Sequence, residues 1–260
     1  VPEFSFFVPT YLRAVTLKET VDSILSMEGA HSYEILVVDN NPQRGDETEL
    51  LMAGYSGLGN LRYYKNSSNI GMVGNWNRGY HLSRGRWVVM VHDDDLVGPD
   101  FLNEVSSALQ KVDADALFSR FTPVRSASDV PSHKGAGSGK LSRKRCSSVW
   151  NGNDFNVVGS VLRRAVVAVG GFREDQYPCA DYGFFARMAF FRKAWMLDSS
   201  IAFYRVSENE SLRQETLDGF MHVCHFLRIQ ILEKLRCPAA SELHQDEILS
   251  VHPTWSEGGM

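Results

Sequence analysis

A chain of 260 residues, 43% hydrophobic and 22% charged, carries enough apolar side chain for a sizeable core, and that excludes wholesale disorder. A formal net charge of −4 argues against nucleic acid as a partner, because phosphate contacts need a basic excess. Cys146, Cys179, Cys224 and Cys237 are too widely spaced for a metal knuckle and too few for a disulfide scaffold, which points to a reducing compartment.

The first hundred residues read as strand and helix in alternation. A strand is expected over 4–9 and a helix over 17–27, where Leu17, Val21, Ile24 and Leu25 recur at helical spacing. A buried strand over 34–38 stops at Asp39-Asn40-Asn41-Pro42, which is turn chemistry. A polar helix near 46–53, a strand over 61–65 and a Gly/Asn-punctuated helix over 71–82 follow. The apolar strand over 87–91 runs directly into His92-Asp93-Asp94-Asp95. Such alternation predicts a parallel sheet with right-handed crossovers.

Further along, a helix over 101–110 and a strand over 116–122 precede a Ser-, Gly- and Lys-rich stretch, 125–148, expected to be a mobile loop. Regular structure resumes over 157–169, and Gly170-Gly171 makes a turn. An aromatic helix over 182–191, a strand over 194–205 and a late helix over 217–235 complete the pattern. No run of 18 apolar residues exists, and residues Val1 to Phe7 pass straight into a strand-like pattern with no basic segment, so a cytosolic protein is expected.

In a parallel sheet, ligands bind beyond the carboxyl ends of the strands. Two expected strands end in acid there: one at Asp39, the other at Asp93, Asp94 and Asp95. Three adjacent aspartates repel one another unless a cation or hydrogen-bond donors balance them, and hard oxygen ligands select Mg²⁺ or Mn²⁺ over zinc. The plain alternative is that the triplet caps the helix starting near Phe101. Asp100 is already placed for that task, which leaves the triplet for another.

Four segments stand out: Phe6-Phe7-Val8-Pro9-Thr10-Tyr11, Glu34-Ile35-Leu36-Val37-Val38-Asp39-Asn40, Asn69-Ile70-Gly71 with Asn77-Arg78-Gly79, and Val91-His92-Asp93-Asp94-Asp95-Leu96-Val97-Gly98-Pro99. Taken together, they resemble the family 2 inverting glycosyltransferases of GT-A fold. Gly170-Gly171-Phe172, Asp181-Tyr182 and Arg187 look like the family's second signature, and the likeness runs from about Phe4 to Arg205. It implies a Rossmann-like, mostly parallel α/β sheet flanked by helices, with a catalytic domain over 1–205. Within that domain, 1–100 would bind the nucleotide sugar and 101–205 the acceptor, and 206–260 would form a helical extension.

The resemblance also implies roles. Pro9, Thr10 and Tyr11 fall in the loop against the nucleotide base, and Asp39 matches the acid that reads base or ribose. Asn69 and Asn77 would line the nucleotide pocket, although capping and helix packing explain them, Asn75, Gly71 and Gly79 equally well. Asp93 falls where the family's DxD element approaches the ribose, Asp94 where it ligates the divalent cation, and Asp95 is next in line. Asp181 matches the general base, with Asp175 as the competing carboxylate. His92 stands where the family's first DxD acid would be, Ala180 where a Glu usually precedes the base, and Ser207 where many members carry a His.

The expected activity is transfer of a hexosyl unit from a nucleoside-diphosphate sugar, a UDP-sugar by family frequency, to a glycan or lipid-linked glycan during surface polysaccharide assembly. The basic residues Lys134, Lys140, Arg143, Lys144 and Arg145 read as a solvated loop, or as contact with diphosphate or the inner face of a membrane. Trp150, Asn153 and Asp154 read as an acceptor subsite, and Trp76 as core or pocket wall. Two competing functions remain: a catalytically silent sugar-nucleotide-binding module, and a nucleotidyltransferase. The second calls for glycines after the first strand, which Val8-Pro9-Thr10-Tyr11-Leu12-Arg13 lacks.

Overall fold

Strand β1 (Phe4–Thr10) is buried at all of its positions, as happens when both faces of a sheet are covered. The computed structural model describes residues 1–131, 136–144, 157–164, 170–206, 219–220 and 222–229. In chain order, β1 is followed by α1 (Ala14–Leu25), β2 (Tyr33–Asp39), α2 (Glu47–Ala53), β3 (Leu61–Lys65), α3 (Gly71–Leu82) and β4 (Trp87–Met90). Then come β5 (Leu96–Val97), α4 (Phe101–Lys111), β6 (Ala116–Val124), β7 (Leu141–Lys144), β8 (Val161–Arg163), α5 (Ala180–Phe191) and β9 (Ala194–Arg205).

These strands form one nine-stranded sheet in the order β3-β2-β1-β4-β8-β6-β9-β5, with β7 also on β9. β1 to β4 run parallel, as do β6 and β9, while β5, β7 and β8 run against their neighbours. Period-2 alternation divides the core between the two faces. Phe7, Leu36, Val38, Val88 and Met90 pack with α3 and α5 on one side. Phe6, Val8, Ile35, Val37 and Val89 pack with α1 and α4 on the other. The fold is therefore a helix–sheet–helix sandwich, as the resemblance implies.

Because α1 and α2 cross one face and α3 the other, strand order reverses between β1 and β4, which is where open α/β sheets bind ligands. Pro9 helps to open that crevice. The Phe7 carbonyl accepts from the Val91 N–H, so Pro9, two residues on, turns its nitrogen to the same side and has no hydrogen to offer β4. The β1–β4 register stops at Phe7 opposite Met90, whereas the β1–β2 register continues to Thr10 opposite Asp39.

Three expectations need correction. Residues 141–144, expected inside a mobile loop, form β7 and pair with β9 from Leu141 opposite Leu197 to Lys144 opposite Ala194. An edge pairing of a polar segment leaves no apolar period to read. Residues 127–129 make a short 3₁₀ turn with a capping box from Ser126. Asp100 occupies the N-cap position of α4, but its side chain makes no capping hydrogen bond.

Gly79 serves close packing, since a Cβ there would meet the Phe7 ring at 2.2 Å. Of the late helix, residues 219–220 and 222–229 are helical, and Cys224 and Leu227 join the core on the α5 side. Lys134, Arg145, Cys146, Trp150, Asn153, Asp154, Ser207 and Cys237 lie outside the described residues.

Candidate active site

The crevice between β1 and β4 collects the loop after each strand. Thr10, the last residue of β1, donates its hydroxyl to Asp93 Oδ2 at 2.7 Å, and the Tyr11 backbone N–H also bonds this carboxylate. Arg13 Nη1 lies 2.5 Å from Asp94 Oδ2 and 3.7 Å from Asp93 Oδ1. From the far side Arg205, at the end of β9, gives its backbone N–H to Asp95 Oδ1 (3.1 Å) and its Nε–H to the Asp94 carbonyl (2.8 Å). The pairing of β5 with β9 puts Arg205 there, since Leu96 stands opposite Phe203.

These donors do not saturate the acids. Burial, with Asp94 as a neighbouring charge, pushes the Asp93 carboxyl up to about 7 despite the Thr10 bond. The same two causes hold Asp95 well above the ordinary carboxylate range. Burial lowers the His92 imidazole, which favours its neutral, ligating form. His92, Asp94 and Asp95 each offer one ligand atom, all within 4.8 Å of one another. Asp95 Oδ2 and His92 Nε2 are buried and, among the described residues, have no hydrogen-bond partner. One imidazole nitrogen and two carboxylate oxygens, of which Asp95 Oδ2 lacks a donor among the described residues, fit a divalent cation such as Mn²⁺ or Mg²⁺.

Asp39 is finished differently. Its carboxylate is inaccessible to solvent: Oδ2 accepts from Tyr63 (2.6 Å) and Lys65 (2.8 Å), and Oδ1 from the Asn41 N–H (2.9 Å). Lys65 also bonds Asp46, which caps α2 through the Glu49 N–H. Beside it, Asn40 bonds Asn69 Oδ1 (2.8 Å) and the Gly71 carbonyl (3.2 Å), and accepts from Asn66 Nδ2 and the Ile70 N–H. Asn69 is thereby fixed at the start of α3, on the same rim as Thr10.

Asn77 is spent on the backbone of Phe172, donating to its carbonyl and accepting from its N–H, both at 2.9 Å. This bracket holds the Gly171-Phe172 turn against α3. The Phe172 ring meets Trp76 edge-on at 5.0 Å, and Trp76 stacks on His92 at 5.4 Å. α5 follows the same turn, with Arg187 donating to the Gly171 carbonyl. Asp181 lies in the first turn of α5 and its Oδ1 accepts from the Tyr182 N–H at 2.7 Å. Burial raises its carboxyl above the ordinary range. Asp175 is instead exposed and paired with Arg173 at 2.6 Å, which lowers it and ill suits it to take a proton. The structure thus gathers Thr10, Tyr11, His92, Asp93, Asp94 and Asp95 directly, while Asp181 lies on α5, whose Phe184 packs on the Phe172 ring.

The family model for "Glycosyl transferase family 2" matches residues 5–170. The chain belongs to glycosyl transferase family 2. The matched region contains both rims of the crevice and stops short of Asp181.

Among curated proteins, the chain is 27% identical over 240 residues to "Uncharacterized protein MT1568" of Mycobacterium tuberculosis, covering 83% of this chain and 68% of that protein. It is 32% identical over 114 residues to succinoglycan biosynthesis protein ExoO of Rhizobium meliloti, covering 44% of this chain but 31% of ExoO. Among solved structures, S. aureus TarS 1–349 in complex with UDP-GlcNAc matches with a TM-score of 0.67 at 19% identity, over 88% of this chain and 66% of that one. The mannosyltransferase PcManGT of Pyrobaculum calidifontis, in complex with GDP-Man and Mn²⁺, matches with a TM-score of 0.58 at 16% identity, over 96% and 78%. These structural likenesses show the GT-A fold.

In the sequence His92 stands as a departure from the DxD pattern, and neither Arg13 nor Lys65 stands out. His92 was visible as a metal-compatible residue next to the triplet. Nothing local marks Lys65, whose partners lie 19 and 26 residues away in the chain.

Proposed function

We propose that this family 2 member is a metal-dependent inverting glycosyltransferase. It would move a hexosyl unit from a nucleoside-diphosphate sugar to a hydroxyl of a glycan or lipid-linked glycan. The observation that carries the reading is the cluster of His92, Asp94 and Asp95 at the point where strand order reverses, with Asp95 Oδ2 lacking a donor among the described residues, beside the Thr10–Asp93 bond. A divalent cation held by Asp94 and Asp95, with His92 beside them, would supply charge neutralisation to a departing diphosphate.

The chain's own residues do the rest. Pro9, Thr10 and Tyr11 wall the nucleotide pocket on one side, with Asp39 and Asn69 on the same rim. Thr10 and the Tyr11 N–H hold Asp93 in place to meet the ribose. Asp181 accepts the proton of the acceptor hydroxyl as its oxygen attacks the anomeric carbon. The bond from that carbon to the diphosphate breaks, and its electron pair leaves on the diphosphate oxygen. One displacement gives inversion. A carboxyl raised by burial is the more effective base, because its proton affinity is closer to what neutral pH demands.

Solved structures of similar fold hold UDP-GlcNAc or GDP-Man, and a partial relative is named for succinoglycan biosynthesis, which supports a sugar nucleotide donor and a polysaccharide product. The family-based preference remains UDP. No helix among the described residues is long and apolar enough to cross a membrane. The reading includes peripheral contact with a lipid-linked acceptor at the cytoplasmic face of a membrane.

The test is a thermal-shift screen of UDP, dTDP and GDP with and without Mn²⁺, followed by release of the nucleoside diphosphate from the matching sugar donor. A shift that needs both metal and one diphosphate, with turnover reduced at least about a hundredfold by Asp181→Asn, is the expected result. A metal-dependent shift with no turnover on any donor or acceptor would favour the silent binding module, and no shift at all would remove the reading.

A further inference from the structure

Residues 10–13 break two local rules. Leu12 sits at φ 57°, a left-handed conformation that a leucine adopts at a cost, and it is exposed. Arg13 then occupies the N-cap position of α1 with no side-chain capping bond. That position favours Ser, Thr, Asp or Asn, and a cation there opposes the helix dipole. The side chain turns back to Asp94 and Asp93 instead, at 2.5 and 3.7 Å. It is about one-third exposed, while both acids are nearly buried, so the guanidinium covers them from the solvent side.

We propose that Arg13 is a displaceable counter-cation: in the donor-free protein its guanidinium neutralises Asp94 and Asp93, and on entry of the divalent cation it turns to the donor's diphosphate. The inference rests on the reading of this crevice as a sugar-nucleotide site. Asp94 cannot give one oxygen fully both to Arg13 and to a metal, so the two cations compete for it. Once displaced, a fork of fixed N–H donors at the mouth of the crevice meets the nearest anion, and a diphosphate takes it in a bidentate way. Such an exchange keeps the triplet from standing uncompensated before the donor arrives. It also makes Arg13 a positioning residue with opposite effects on the two ligands.

The experiment follows free Mn²⁺ by electron paramagnetic resonance during titration of metal alone, and binding of UDP and of uridine at saturating Mn²⁺ by calorimetry, for wild type, Arg13→Ala and Arg13→Lys. Removing one charge-assisted competitor should tighten metal-only binding to Arg13→Ala by about tenfold. The same variant should bind UDP about tenfold more weakly, with uridine unchanged. Arg13→Lys, which keeps the charge and loses the fork, should restore wild-type Mn²⁺ affinity but not UDP affinity. Unchanged or weaker Mn²⁺ binding by Arg13→Ala in a protein with wild-type thermal stability would overturn the exchange. If wild type itself bound no Mn²⁺ with or without UDP, the underlying site reading would fall as well, an outcome the metal titration separates from the first.

Discussion

At the end of β2 the carboxylate of Asp39 is fully buried and receives a lysine, a phenol and a backbone N–H, whereas in the loop after β4 Asp95 is equally buried and, among the described residues, keeps one oxygen without a donor. Both acids follow the carboxyl ends of parallel strands that flank β1 in one sheet. The difference lies in what surrounds them. The first is a completed ion pair that holds the rim together, and the second, in the proposed reading, is completed by a ligand. An acid at a strand end is thus a structural post or a binding group according to its donors, not its position.

Removing the counter-charge from the finished end should have the largest effect. Lys65→Met leaves Asp39 and Asp46 buried without their shared cation, and breaking such a pair costs about 3–5 kcal/mol. Chemical denaturation would show a lower midpoint, and Mn²⁺ binding in the protein that remains folded should be retained.

Asp181→Asn probes the other side of the crevice. Loss of a general base should reduce turnover by about 10²–10⁴-fold while leaving Mn²⁺-dependent UDP binding intact. Wild-type turnover should fall on acidification through an apparent pKa above the ordinary carboxylate range, since burial raises Asp181. The sign for stability is opposite. A folded-state value above the unfolded one means that ionisation of Asp181 costs stability as pH rises out of the acid range, so the Asn variant should melt at or above wild type at neutral pH. Denaturation at two pH values, set beside the rate profile, checks both.

Asn77→Ala is a smaller lesion. It orphans both backbone groups of Phe172 and should cost about 1–3 kcal/mol, with Mn²⁺ binding unchanged, because the bracket positions the α5 side and not the acids. The smallest effect is expected from Asp95→Asn in metal-free protein. Asp95 is held above the ordinary range, so its ionisation disfavours the folded state at neutral pH; the neutral amide should raise the melting temperature slightly in EDTA and abolish the gain that Mn²⁺ gives wild type.

The same contrast explains what could be read in advance. β3, α3 and β9 occupy the residues expected of them because their signals are local: an apolar run, a helical period, a Gly or Pro boundary. β7 carries polar residues on an edge and has no such signal. The acid triplet was legible as a run of like charge after a buried strand. That Asp39 is satisfied and Asp95 is not was illegible, since Lys65, Tyr63 and Arg205 arrive from distant elements. Asn77 illustrates the limit from the other direction: its spacing suits a pocket amide, yet its partner is a turn 95 residues later in the chain.

The most direct measurement is a Mn²⁺ titration of wild type and Asp94→Ala, with and without UDP, read by the signal of free metal. The account predicts one Mn²⁺ per wild-type chain, bound more tightly with UDP present, and no UDP-dependent uptake by the variant. Equal uptake by both proteins, or none by wild type, would contradict the assignment of a cation to the unfinished strand end.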